Sequence, residues 1–170
     1  AVSHRWLEPG QPDKAGVQAR KLKEYLANPA HAGIEWVWFD FWSMPQRDPN
    51  ASKGEDDRSP ADKDRFQWML KNVNLLYLGT SVLLLVDLSF ISRFWTQFEA
   101  WLSMQMCTAT GFVPADAEAD QRCTIEPIFN ATRTFADEVR AMWLKRTSDE
   151  AYDVLSLDDV LVTSAKDKQD

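Results

Sequence analysis

The sequence predicts an α/β fold in which helices cover a parallel β-sheet. Short apolar or β-branched runs alternate with segments whose apolar residues recur every three or four positions, as on one face of a helix. The connections between the short runs are long enough for crossovers between parallel strands. The run at 81–87 is rich in leucine and valine, which is typical of a strand buried on both faces.

Five strands and four helices are predicted along the 170 residues. We expect strands at 2–5, 34–41, 81–87, 124–129 and 159–163, helices at 15–26, 66–77, 94–106 and 135–143, and long surface loops at 42–65 and 108–122. For five parallel strands we expect the flavodoxin-like order 2-1-3-4-5, with helices on both faces. Its switch point lies between the first and third strands, where ligands of such sheets bind.

The first half of the chain supplies two of these strands. Residues 2–5 are sufficient only for the tail of a strand. Ala15, Ala19, Leu22 and Leu26 follow at spacings of four, three and four, as on one helix face. The run IEWVWFDF at 34–41 has the aromatic and β-branched content of a strand. Residues 42–65 contain three prolines, six acids and five bases, which indicates a solvated loop.

The second half continues the alternation. A helical stripe is formed by Phe66, Met69, Leu70, Val73, Leu76 and Tyr77, and another by Phe135, Val139, Met142 and Trp143. The run TIEPIF at 124–129 favours a strand near an edge, because Pro127 lacks a backbone donor. The run DVLVT at 159–163 favours a fifth strand.

Composition limits the classes of function. A net charge of −7 argues against a general nucleic-acid or anionic-membrane surface, and no partner of either kind is expected. Neither a signal peptide nor an apolar run of about 18 residues is visible, so a cytoplasmic location is expected. We expect one domain over 1–170, cut from a longer protein because the chain begins at Ala1. Two cysteines and two histidines without ligand spacing predict no metal site.

Glu99 is the residue that most needs an explanation. It is the only charged residue from Phe94 to Ala115, within the apolar helical run FWTQFEAWLSMQM. Burial of a carboxylate must be offset by a partner, a raised pKa or a ligand. Trp95 lies four residues earlier, one turn away on the same helix face. The structural alternative is that Glu99 pairs with Arg93 or with a backbone amide at the start of the helix.

At these residues the chain resembles a TIR domain. The match lies in SHRW at 3–6, FDF at 39–41 and ISRFWTQFEAW at 91–101, which is similar to the family's Ser-x-x-Trp-Cys-x-x-Glu-Leu pattern. Trp95 and Glu99 occupy the Trp and Glu positions. Thr96 stands where the pattern has Cys, and Ala100 where it has Leu. Many TIR domains cleave NAD at the nicotinamide–ribose bond with that glutamate, and others are self-associating signalling adaptors.

The resemblance implies an NAD glycohydrolase of signalling or defence with NAD as substrate, no cofactor and other TIR-like domains as partners. Glu99 is then the catalytic carboxylate and Trp95 the platform for the nicotinamide ring. Arg5 or Arg93 neutralises the pyrophosphate. Further candidate substrate contacts at the ends of the strands and in the turn before the helix are His4, Trp6, Asp40, Trp42 and Ser89.

Two alternatives remain open. One is a non-catalytic TIR-type module that acts by homotypic assembly. The other is a different nucleoside-bond enzyme, similar to a deoxyribosyltransferase, in which the glutamate is a covalent nucleophile.

Overall fold

A three-stranded parallel sheet forms the centre of the protein in a computed structural model that describes residues 1–8, 10–48 and 56–162. In these residues the strands are β1 (Val2–His4), β2 (Val82–Val86), β3 (Gln105–Thr108), β4 (Gly111–Pro114) and β5 (Cys123–Pro127). The α-helices are α1 (Val17–Ala27), α2 (Asp40–Ser43), α3 (Pro60–Asn72), α4 (Asn74–Gly79), α5 (Phe94–Ser103), α6 (Arg133–Trp143) and α7 (Ser148–Leu155). The sheet order is β1-β2-β5.

Helices pack on both faces of this sheet. Every residue of β2 is buried, and successive side chains point to opposite faces. Leu84 and its neighbours on one face pack with residues of α4, α5, α6 and α7. Leu83 and Leu85 on the other face pack with Leu22 of α1. The α/β class with a parallel, doubly covered sheet is therefore confirmed, because both faces of β2 need apolar cover.

The predicted strand at 34–41 forms only one bridge, between Phe39 and Val2. The amide of Val2 donates to the carbonyl of Trp38 at 2.9 Å. Phe39 lies opposite Val2 in a parallel register, and residues 34–37 form no bridge to another described strand. Asp40 then begins α2. This prediction was wrong in extent, although the segment lies beside β1 as expected.

The predicted fifth strand does not join the sheet. Its described residues, 159–162, form one parallel bridge, between Leu161 and Arg93. Leu161 donates to the carbonyl of Ser92 at 2.8 Å and accepts from the amide of Phe94 at 3.0 Å. Leu161 thus pairs with the start of α5, and no bridge joins the described residues 159–162 to β5. The five-stranded order is thus not found in the described residues, and Thr163 lies outside them.

The two predicted loops also contain regular structure. Residues 105–108 and 111–114 pair as an antiparallel hairpin, where a helix was expected to reach 106 and a loop to begin at 108. The predicted loop at 42–65 gives way to α3 at Pro60, capped by Ser59, whose hydroxyl accepts from the amide of Asp62. Residues 49–55 of that loop lie outside the described residues. Helix α7, which begins with a Thr147–Glu150 capping box, was not predicted.

Candidate active site around Glu99

The Glu99 carboxyl group lies between α5 and the central strands and is held by hydroxyl groups. Ser3 of β1 donates a hydrogen bond of 2.6 Å from Oγ to Oε2 of Glu99. The phenol of Tyr77, on α4, lies close enough to lower the pKa of Glu99, while its hydroxyl donates to the carbonyl of Val2 at 3.5 Å. The residue keeps some exposed surface, whereas its carboxyl end is removed from water. Desolvation is the main cause that raises the pKa of Glu99 to about 8, against the opposing effects of Ser3 and Tyr77.

The described residues offer Glu99 no cationic partner. The expected alternative, an ion pair with Arg93, is not found: Arg93 is exposed and its backbone pairs with Leu161. The backbone amide of Phe94, at the start of α5, is not available to Glu99 either, because it donates to the carbonyl of Leu161. A carboxyl that is desolvated but unpaired by a cation is neutral at pH 7, since its pKa lies above that pH.

Asp40 joins two other candidate residues, His4 and Trp6, in one polar network. Its Oδ1 lies 2.8 Å from Nε2 of His4, and its Oδ2 accepts from the indole of Trp6 at 2.7 Å. The amide of Phe41 also donates to Oδ1. The negative charge of Asp40 further raises the pKa of Glu99. The structure thus brings the ends of β1 and of segment 34–39 together, and Asp40 links them to Glu99 electrostatically.

A column of stacked rings continues this network to the surface. The ring centroids of His4 and Phe39 lie 4.0 Å apart, and those of Phe39 and Trp42 lie 4.2 Å apart. His4 is buried, whereas Trp42 is 59% exposed. Trp42 is therefore positioned at the outer end of the column and contacts the site through Phe39.

Arg5 and Ser89 belong to a neighbouring cleft. The guanidinium of Arg5 donates two hydrogen bonds to Oδ2 of Asp87, one from Nε at 3.0 Å and one from Nη2 at 2.5 Å. Asp87 also accepts from the amide of Ser89. An open cleft of about 380 Å³ adjoins this group at the carboxyl ends of β1, β2 and β5. The charge of Arg5 is therefore already balanced by Asp87.

Trp95 is half-buried, one turn before Glu99 on α5. Its ring meets that of Phe94 edge-on at 5.2 Å and that of Phe98 at 6.4 Å. Neither the cleft beside Arg5 nor a second cleft of about 440 Å³ at the amino ends of β1 and β2 is lined by Trp95 or Glu99. Trp95 and Glu99 thus lie outside both of these clefts.

Two other classes of site find no support in the described residues. No group of three or more His, Cys, Asp or Glu side chains is arranged to hold a metal ion. In the same part of the chain, no helix combines the length and the apolar composition needed to cross a membrane.

Sequence reasoning missed two residues that contact Glu99. Tyr77 was assigned to the apolar stripe of a helix, and its hydroxyl gave no separate signal. Ser3 was quoted as the first residue of the SHRW run and was given no role. The available signal was the SHRW run. It lies at the carboxyl end of the first strand, next to the buried acid, so a polar side chain there can contact Glu99.

Comparisons of the chain with protein-family models, with curated proteins and with solved structures return no match. The TIR resemblance therefore remains a prediction that depends on the quoted residues of β1 and α5.

Proposed function

We propose that the protein is a glycohydrolase that cleaves the nicotinamide–ribose bond of NAD, with Glu99 as its catalytic carboxyl. The observation that carries the proposal is the Glu99 carboxyl itself, which is desolvated and held by hydroxyls without a cation among the described residues. Perturbed carboxyls of this kind favour functional sites, because an unpaired buried acid does little for stability. A cationic substrate supplies the positive charge that the described residues do not place beside Glu99.

The reaction needs electrostatic help more than acid catalysis. When the C1′–N bond of the nicotinamide riboside breaks, its electron pair moves to the ring nitrogen, and nicotinamide leaves as a neutral molecule. The positive charge passes to the ribose as an oxocarbenium ion, which water attacks with loss of a proton to give ADP-ribose. A carboxylate beside that ion stabilises the charge as it develops, as in glycoside hydrolysis.

Glu99 must ionise to act in this way. Its pKa of about 8 keeps it neutral at pH 7 in the free protein. The pyridinium cation of NAD lowers that pKa when it lies close, because an opposite charge favours the ionised form. Binding of NAD is therefore expected to release a proton, and kcat/KM is expected to rise with pH towards a plateau above about pH 8.

Trp95 is proposed as the platform for the nicotinamide ring. It lies one turn before Glu99 on the same helix face and is half-buried, which places its ring beside the acid. Aromatic and cation contacts of this kind contribute about 0.5–2 kcal/mol. Access requires movement at the carboxyl edge, where Trp42 is the exposed aromatic side chain of the ring column.

The direct test is nicotinamide release from NAD by the wild type and by Glu99→Gln. We expect the variant to lose release while its thermal midpoint stays the same or rises, because Gln keeps the shape without the cost of burying an acid. Glu138→Gln, an exposed glutamate on α6, is the matched control and should retain full turnover. Retained turnover in Glu99→Gln would remove Glu99 from the reaction.

Dilution separates the enzyme from the adaptor alternative. If neighbouring copies complete the site, nicotinamide release per molecule should rise with protein concentration, as mass action on a weak association requires. Constant release per molecule over a hundredfold dilution would indicate an active monomer. Concentration-dependent assembly without loss of NAD at any concentration would favour the non-catalytic module.

A further inference from the structure

We propose that Ser3 is a positioning residue, which orients the Glu99 carboxyl and leaves its second oxygen, Oε1, for the substrate. This inference rests on the proposed function and adds a residue to that same site. Ser3 is placed by the first strand, 96 positions away in the chain from the helix that carries the acid.

The position of the Ser3 hydroxyl is fixed by the sheet. Ser3 lies opposite Leu84 of β2 in the parallel register and has no exposed surface. The residue before it is hydrogen-bonded to Trp38 on the outer side, so β1 is held on both edges. Because this backbone is held in place, the Ser3 hydroxyl cannot shift along with the Glu99 side chain. The 2.6 Å contact therefore fixes Oε2 of Glu99 relative to the central sheet rather than to α5 alone.

The choice of a hydroxyl also sets the balance of charge. An arginine or lysine at this position would neutralise Glu99 permanently, whereas a serine donates a hydrogen bond and leaves the charge unbalanced. By donating to the carboxylate, Ser3 opposes the effect of burial on the pKa of Glu99. Ser3 thus keeps the acid ionisable without pairing it.

The other groups that act on Glu99 come from two further elements. Asp40 of α2 disfavours the ionised form through its charge, and the nearby phenol of Tyr77, on α4, favours it. Glu99 is the only charged residue of α5, and helix α7, which packs against α5, contributes no group that shifts its pKa. The effect of Ser3 is therefore measurable against two identified neighbours.

The experiment compares Ser3→Ala with Ser103→Ala. Both serines are fully buried, and the Ser103 hydroxyl donates to the carbonyl of Ala100 on the same helix as Glu99. The titration of Glu99 is followed by carboxyl ¹³C NMR, with its signal assigned by loss in Glu99→Gln, and kcat/KM for NAD is measured against pH. Folding of each variant is checked by thermal unfolding.

Ser3→Ala is expected to move both the Glu99 titration and the pH profile about one to two pH units upward, because a hydrogen bond to a charged group is lost. At a pH well below the wild-type pKa of about 8, kcat/KM should fall about tenfold for each pH unit by which the profile moves. Ser103→Ala should move neither. Ser3→Thr, which keeps the hydroxyl, should restore the wild-type titration.

Equal titrations of Glu99 in the wild type and in Ser3→Ala would overturn the proposal. So would equal changes in Ser3→Ala and Ser103→Ala, which would indicate a general effect of cavities. If Ser3→Ala does not fold, Ser3→Cys serves as the weaker donor, and an unchanged titration there has the same meaning. If the wild type does not cleave NAD, the proposed function fails, while the titration still decides whether Ser3 controls Glu99.

Discussion

Asp40 and Glu99 are two acids on different helices, and the charge of the first raises the pKa of the second. Both oxygens of Asp40 are occupied, by His4 and Phe41 on one side and by Trp6 on the other. Glu99 has hydroxyl neighbours instead. The carboxyl group of Asp40 is thus hydrogen-bonded at both oxygens, whereas that of Glu99 is desolvated and has no cationic partner among the described residues.

Replacing Asp40 with Asn should therefore lower the pKa of Glu99 by about half a unit or more, since the like charge is removed. On the proposed mechanism, kcat/KM at pH 7 rises accordingly. The titration is read by carboxyl ¹³C NMR, with Asp153→Asn, an exposed position on α7, as control. A Glu99 titration unchanged by Asp40→Asn would show that the two acids do not interact.

The stability of the protein should depend on pH through Glu99. Its pKa is raised from 4.5 to about 8 on folding, so the folded state binds the proton more tightly than the unfolded state. The stabilisation is complete below pH 4.5 and is lost as the pH rises through 8, at up to about 1.4 kcal/mol per pH unit. Denaturant unfolding should show that the free energy of unfolding of Glu99→Gln, relative to that of the wild type, increases between pH 4.5 and about pH 8. Above that pH the difference should stay constant.

Substitution of Trp95 distinguishes a ligand platform from core packing. As a platform, Trp95→Ala weakens both NAD binding and rate, and Trp95→Phe retains a substantial part. As core, Trp95→Ala costs about 3–5 kcal/mol of stability and leaves normal turnover per folded molecule. Trp68, which is 68% exposed on α3, provides the control for loss of an indole ring. Normal specific activity in folded Trp95→Ala would exclude the ring from the site.

Loss of Arg5 should act on folding rather than on phosphate binding. The side chains of Arg5 and Asp87 are 19% and 9% exposed, so Arg5→Ala leaves a nearly buried carboxylate without its cation. We expect a stability loss of about 3 kcal/mol, partly recovered when Asp87→Asn is added. If instead the thermal midpoint is unchanged and only KM for NAD rises, Arg5 binds the pyrophosphate directly.

The elements that were predicted best are those whose pattern of apolar residues can be recognised within the element itself. Strand β2 and helix α5 were recognised from continuous apolar content and helical spacing, and both are buried where expected. The two outer strands were predicted from equally good composition, yet each forms a single bridge. Strand formation depends on an available neighbour: the segment 34–39 meets β1 only at Val2, and Leu161 pairs with Arg93 instead of with a strand of the sheet.

Local sequence patterns were enough to place one carboxyl, Glu99, on an apolar helix that follows a buried strand. The groups that surround this carboxyl depend on tertiary packing. Ser3 and Tyr77 are 96 and 22 residues from Glu99 in the chain, and they reach it through the register of β1 on β2 and the packing of α4 on α5. Helical periodicity specifies a face within one element, whereas contacts between elements depend on how whole surfaces pack.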